Sequence, residues 1–235
     1  MAVLDTTHRP GLPLVVTDLD LRGLDGRPLA SLTRLNVTAG TSLAIRGPSG
    51  AGKSTLLHAF SGLVRPAGGQ VLWGDTDLAT LSDSARTRFR RENVGLIFQD
   101  FLLFEELGAL DNAALSAAFA PRTARAALRD RAANWLDRLG LAQTGTRRAD
   151  SFSGGERQRI AVARALSNDP AVILADEPTA SLDRATADRL IDDLVALSQD
   201  SGRTLIAVTH DEALASRLDR VLTMADGRVV EDSDG

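Results

Sequence analysis

Apolar positions along the chain follow two spacings, and the switches between them mark the elements. Leu14-Val15-Val16 opens a strand that continues through Leu19 and Leu21, which alternate with Asp18 and Asp20. Residues 31–37 carry Leu32, Leu35 and Val37 in a second strand, with Asp25-Gly26 as a turn signal between the two. These predict a small antiparallel sheet beside the apolar segment Ser42-Leu43-Ala44-Ile45, and residues 68–74 add another strand between turns. Ser82-Asp83-Ser84 offers a helix N-cap ahead of Ala85, Arg88, Phe89 and Glu92. Residues 94–98 read as a buried strand ending at Gln99, followed by a stretch, Asp100 to Phe104, that is unusually apolar for a loop.

After Pro121 a helical stripe of Leu128, Ala132, Trp135, Leu136 and Leu139 runs to a stop at Gly140, so residues from about 100 to 152 predict a mainly helical insert. The second half alternates: helix 155–167, strand 171–175, helix 185–198, strand 204–209, helix 212–218, and a hairpin of 220–224 with 228–230 around Asp226-Gly227. Strands alternating with helices imply an α/β fold with a mostly parallel sheet, whose ligands bind beyond the carboxyl ends of the strands. The glycine-rich loop after Ile45, Gln99, Asp176-Glu177 and His210 all follow strands, so they are expected to converge. Residues 1–13 have no period and read as a flexible lead-in, 14–230 as one domain, and 231–235 as a short tail.

Composition narrows the function. The chain has 235 residues, 43% hydrophobic and 25% charged, enough to bury a sizeable core. A net charge of -4 carries no electrostatic footprint for a general nucleic-acid binder, so no nucleic-acid partner is expected. Cysteine is absent, which removes disulfides, thiol chemistry and Cys-built zinc sites, and three histidines make a His-based metal centre a poor reading. No segment approaches the roughly 18 apolar residues of a membrane span, and no signal pattern opens the chain. A cytoplasmic protein is expected, with any membrane spans supplied by another polypeptide.

The chemistry gathers first on Gly47-Pro48-Ser49-Gly50-Ala51-Gly52-Lys53-Ser54-Thr55, a G-x-x-x-x-G-K-S loop between a strand and a helix. Its glycines let successive N–H groups turn inward around phosphate, and the following helix adds its positive dipole end. Lys53 supplies a point charge for the β- and γ-phosphates, and the Ser54 hydroxyl suits Mg²⁺. A nucleoside triphosphate with magnesium is the expected ligand; nucleotide kinases and GTPases use the same loop.

Asp176-Glu177 closes the apolar run Val172-Ile173-Leu174-Ala175. Adjacent carboxylates repel unless a cation or a proton-accepting task accounts for them, and Asp176 toward Mg²⁺ with Glu177 polarising water fits γ-phosphate hydrolysis. The run Ser153-Gly154-Gly155-Glu156-Arg157-Gln158-Arg159 opens a helix and is a second anion-binding N-terminus. One nucleotide does not need two such sites from one protomer.

At this point the chain resembles the ATP-binding cassette (ABC) ATPases over residues 14–230, with the landmark motifs in order. The resemblance implies a P-loop NTPase core with an antiparallel β subdomain and a helical signature subdomain. Gly47 to Ser54 corresponds to Walker A, Gln99 to the Q-loop glutamine that senses Mg²⁺ and γ-phosphate, and Val172 to Asp176 to Walker B with Glu177 as catalytic base. Ser153 to Glu156 corresponds to the signature that completes a partner protomer's site, Ser181-Leu182-Asp183 to the D-loop at the dimer interface, and His210 to the switch histidine. ATP and Mg²⁺ are the implied cofactors, and a second protomer, a homodimer, is the implied partner.

The chain departs from the family's usual form in two respects: Phe152 and Glu156 stand at the ends of the signature where Leu and Gln are commonest, and the aromatic residue that stacks on adenine would fall near Gly23, in a chain without tyrosine. The resemblance also implies an integral-membrane permease docked near Phe101, Leu102, Leu103 and Phe104, placing the protein on the cytoplasmic face of the inner membrane. The segment from Arg88 to Gln99, the Thr179-Ala180-Ser181-Leu182-Asp183 run and the short tail look most like the lipoprotein-releasing and macrolide-exporter group, which moves hydrophobic cargo. An importer ATPase, a non-transport ABC protein and a P-loop kinase stay open as alternatives; the last leaves Ser153 to Glu156 unexplained.

Overall fold

The computed structural model describes residues 9–142, 147–148 and 151–234; part of the expected lead-in (1–8), part of the expected helical insert (143–146 and 149–150) and Gly235 of the tail lie outside the described residues. Two sheets organise them. The first is antiparallel, in the order β2-β1-β4-β5, from β1 (Leu14–Arg22), β2 (Pro28–Val37), β4 (Gly68–Trp73) and β5 (Thr76–Asp77). The second has six strands in the order β10-β9-β3-β8-β7-β6. In it β3 (Ser42–Arg46), β6 (Val94–Ile97), β7 (Val172–Asp176), β8 (Thr204–Val208) and β9 (Arg220–Ala225) run parallel, and β10 (Arg228–Asp232) turns back against β9.

The continuous apolar runs of β3, β7 and β8 follow from burial on both faces of this sheet. Ile45, Leu174 and Ile206 point into one core, with helix α1 (Lys53–Phe60) and the antiparallel sheet. Their neighbours Ala44, Ile173 and Ala207 point into a second core, under α5 (Gly154–Leu166), α6 (Arg184–Gln199) and α7 (Glu212–Ala215). In β1 the inward phase shifts from Leu14 and Val16 to Leu19 and Leu21. Asp18 absorbs the shift at φ 47, where the pairing with β4 is also irregular, which is how a bulge re-aims a strand.

Helices α2 (Asp83–Asn93), α3 (Ala109–Ala113) and α4 (Arg122–Arg138), with a 3-10 turn at Leu115–Phe119, fill the region between β5 and α5. A third apolar cluster joins Ala113, Ala132, Leu136 and Phe152 to Ile160 and Ala163 of α5. The predicted α4 stripe divides its labour: Leu128, Ala132 and Leu136 are buried, while Trp135 and Leu139 lie half-buried against both the second and third clusters.

Three differences from the sequence reading have local causes. The helix after Asp211 ends at Ala215 rather than Leu218 because Arg217 and Leu218 make tighter i to i−3 bonds. Helix α3 and strand β5 are too short to show a period. Of the expected flexible lead-in, residues 11–12 are tied down: the Gly11 N–H donates to the Gly202 carbonyl at 2.8 Å, and the Leu12 carbonyl accepts from Thr204 Oγ1 at 2.7 Å.

Candidate active site

Parallel register puts the functional loops on one edge. Ile45 lies opposite Val208, Val208 opposite Asp176, and Ala175 opposite Ile97, so the loops after β3, β8, β7 and β6 leave together. They enclose a cleft of about 580 Å³ lined by residues 49–55, Gln99, Asp176, Glu177 and His210. Gly47 and Pro48 back the loop from outside that lining.

Gly47 takes φ 140, and a Cβ there would sit 2.0 Å from the Met224 carbonyl oxygen, so the first loop position has to be glycine. Lys53 is buried, and its ammonium donates to the carbonyls of Gly47 and Pro48, each at 2.8 Å. An ammonium has three donors, which leaves one for an anion in the cleft. Helix α1 starts at Gly52 with no side-chain cap, so its first N–H groups have no side-chain competitor for that anion.

Glu177 follows β7 at φ 47, a strained angle for a non-glycine residue, and its N–H donates to Val208 at 2.9 Å. Its carboxylate meets the segment after β8: the His210 N–H donates to Oε2 at 3.2 Å, and His210 Nε2 lies 3.4 Å from Oε1. Asp176 is 4% exposed, and its Oδ1 has no hydrogen-bond partner. An orphaned buried carboxylate oxygen lining the same cleft as Ser54 and Gln99 gives an all-oxygen donor set of the kind that suits Mg²⁺.

Thr179 and Asp211 also line the cleft, and neither is among the expected site residues. Asp211 accepts from Thr179 Oγ1 at 3.1 Å, from Arg184 Nη1 at 3.3 Å and from the Ala213 N–H at 2.9 Å. Burial works upward on this carboxyl, but the Ala213, Thr179 and Arg184 donors outweigh it and hold it below the usual carboxylate range. The local signal was Asp directly before Glu212 as a helix cap; the contacts to 179 and 184 had none.

The Ser153 to Glu156 segment lies outside the cleft. Ser153 caps α5 in a reciprocal box: its Oγ accepts from the Glu156 N–H at 3.2 Å while its own N–H donates to Glu156 Oε2 at 2.8 Å. Ser153 and Gly154 are exposed, and Gly155 passes close to the Ser181 carbonyl. Phe152 and Glu156 share one partner. The Arg147 guanidinium lies 4.4 Å over the buried Phe152 ring and pairs with Glu156 at 3.1 Å. The Ser153 N–H, with Arg147 assisting, holds the Glu156 carboxyl below its ordinary range.

Asp183, also outside the cleft, caps α6 by accepting from the Thr186 N–H at 3.0 Å and its Oγ1 at 2.7 Å. In the loop after Gln99, Leu103 packs on the third cluster and Phe101 is half-buried, while Leu102 and Phe104 are 55% and 51% exposed. No helix among the described residues is long and apolar enough to cross a membrane.

Residues 31–180 match the family model described as ABC transporter. The chain is 41% identical over 210 residues to the lipoprotein-releasing system ATP-binding protein LolD of Paramagnetospirillum magneticum, covering 89% of this chain and 92% of that one. It is 42% identical over 208 residues to the macrolide export ATP-binding/permease protein MacB of Rhodospirillum rubrum, covering 88% of this chain and 32% of that longer protein. Among solved structures, the dimeric bacterial ABC transporter cassette MJ0796 superposes with a TM-score of 0.87 at 32% identity, covering 94% of this chain and 97% of that one. The same cassette in a post-hydrolysis state bound to ADP and Pi gives 0.84. The chain belongs to the ABC transporter family and is an ATP-hydrolysing, nucleotide-binding cassette of it.

Proposed function

We propose that two copies of this chain close over two ATP molecules and drive a separate membrane permease that exports or extracts hydrophobic cargo. The observation that carries the dimer is the division of the two phosphate-binding helix starts: residues 49–55 line the cleft, while Ser153 to Gly155 lie outside it with Ser153 and Gly154 exposed. The exposed start serves a nucleotide only on another molecule.

Within each cleft the loop from Gly47 to Thr55 wraps the phosphates, and Lys53 turns its remaining donor to the β- and γ-phosphates. Ser54, Gln99 and Asp176 would hold Mg²⁺, which when bound offsets charge on the phosphate oxygens. Glu177 takes the proton of the attacking water, and His210 holds that carboxylate and the γ-phosphate in register. Ser153, Gly154, Gly155 and Glu156 of each copy, with Asp183, complete the site of the other.

The exposed Leu102 and Phe104 support a permease contact, and similarity to LolD and MacB supports hydrophobic cargo and a position on the cytoplasmic face of the membrane. The domain is taken as 14–230, with the helical subdomain at about 100–152. Tagged Glu177→Gln protein, purified with ATP from detergent-solubilised membranes, tests the reading. A nucleotide-dependent dimer with a permease of few spans and a large outer domain is expected; a monomer with ATP and Mg²⁺ in light scattering counts against shared sites, and a many-spanned permease against the exporter reading.

A further inference from the structure

Beyond the ends of β7 and β8 no backbone ladder joins the two loops that carry Glu177 and His210. The last backbone bond is the Glu177 N–H to Val208. From there, among the described residues, the gap is spanned through side chains at two places. On one side the Glu177 carboxylate meets His210. On the other Asp211 receives Thr179 and Arg184. The first contact uses the carboxylate that hydrolysis itself occupies, so it weakens whenever Glu177 turns to water. The second involves no group assigned to the reaction.

Arg184 is suited to bridge rather than merely to pair. Its Nε donates to Asp188 at 2.9 Å, one turn along α6, while Nη1 reaches Asp211. A planar fork spans two carboxylates at once, which a point charge does not. Asp211 in turn is the residue after His210 and the cap of α7. The tie runs from the first residue of α6, next to Asp183, to the switch segment.

We propose that Arg184 and Asp211 are positioning residues for hydrolysis, holding His210 on Glu177 while that carboxylate is engaged, and transmitting movement of the α6 start to the switch segment. The inference rests on the roles proposed above for Glu177 and His210. The bland alternative is a helix cap with a half-exposed ion pair, which contributes little to turnover.

The test is steady-state ATP hydrolysis with Mg²⁺ by the full chain carrying Arg184→Gln, Arg184→Lys, Asp211→Asn or the Arg184→Gln/Asp211→Asn pair. Asparagine keeps the Oδ1 acceptor for the Ala213 N–H, its Nδ2 can donate to the Thr179 hydroxyl that Asp211 accepts from, and the charge is removed, so the cap of α7 is retained. Each single loss is expected to lower kcat by about tenfold with KM for ATP within about twofold. The double variant is expected to fall no further than either single one, the mark of a shared interaction, and lysine to recover part of the rate. Parental kcat in Arg184→Gln, multiplicative losses in the double variant, or a drop in kcat that tracks melting temperature and KM would overturn it. Parallel Glu177→Gln and His210→Ala proteins separate the two levels: normal turnover in these removes the underlying roles, whereas their loss beside unaffected Arg184 and Asp211 variants removes only the tie.

Discussion

Asn112 holds both ends of the Phe104 peptide: its Oδ1 accepts from the Phe104 N–H at 2.8 Å and its Nδ2 donates to the Phe104 carbonyl at 3.0 Å. The same amide lies 3.1 Å from the Leu107 carbonyl, and Asn112 has no exposed surface. Arg164 meanwhile donates to the carbonyls of Phe101 and Leu102, both at positive φ. An apolar tip is thus displayed on a loop whose backbone is anchored from beneath.

Asn112→Ala removes the side-chain acceptor of the Phe104 N–H and the amide donor to the Leu107 carbonyl, while the Phe104 carbonyl keeps the Leu107 N–H at 3.1 Å, so a cost of about 1–3 kcal/mol is expected. Chemical denaturation checks it. Hydrolysis by the cassette alone is expected to persist while stimulation by the permease is lost; an unshifted midpoint would show that the amide does not support the loop.

Trp73 joins the antiparallel sheet to the end of α1 through an indole N–H donated to the Phe60 carbonyl at 2.7 Å. Trp73→Phe keeps most of the packing and orphans that acceptor, so a loss of about 1–2 kcal/mol is expected. A thermal melt with unchanged midpoint would contradict it.

Gly47→Ala forces a Cβ against the Met224 carbonyl at a backbone angle closed to alanine. The loop has to move, and nucleotide affinity is expected to weaken by at least about tenfold. Titration with a fluorescent ATP analogue measures this, with Lys53→Ala, expected to lose productive binding, as the reference.

The Glu156 carboxyl sits below its ordinary value of 4.5, first through the Ser153 N–H and then through Arg147 and the Ser153 hydroxyl. A depressed carboxyl stabilises the fold above its unfolded pKa and ceases to as pH falls through its folded one. Melting temperature is therefore expected to drop as pH is taken below about 4.5, and to drop less in Glu156→Gln, whose amide still accepts from Ser153. Parallel acid profiles would remove the carboxylate from this role.

Ser153→Arg fills the exposed start of α5 without touching the cleft. It is expected to bind ATP normally and fail to dimerise with it, as read by equilibrium binding beside light scattering; lost binding would mean that the segment serves the fold of its own protomer.

The sequence by itself determined what depends on neighbours along the chain. The loop from Gly47 to Thr55, the Ser153 cap, the Asp176-Glu177 pair and the period of each longer element are local, because turn geometry, helix spacing and strand alternation are set within a few residues. Those motifs in order were enough for the family, which the comparisons then established and which excludes the P-loop kinase reading.

Tertiary structure decided what depends on residues far apart. The pairing of Ile45, Val208 and Asp176 across three strands sets which loops share a cleft. Arg147 answering both Phe152 and Glu156, Asn112 carrying the loop at Phe104, and Asp211 joining Thr179 to Arg184 have no signature in spacing. Each is a contact of a polar side chain with a group brought to it by the packing of the chain, and periodicity records which face a residue occupies, not which partner it meets there.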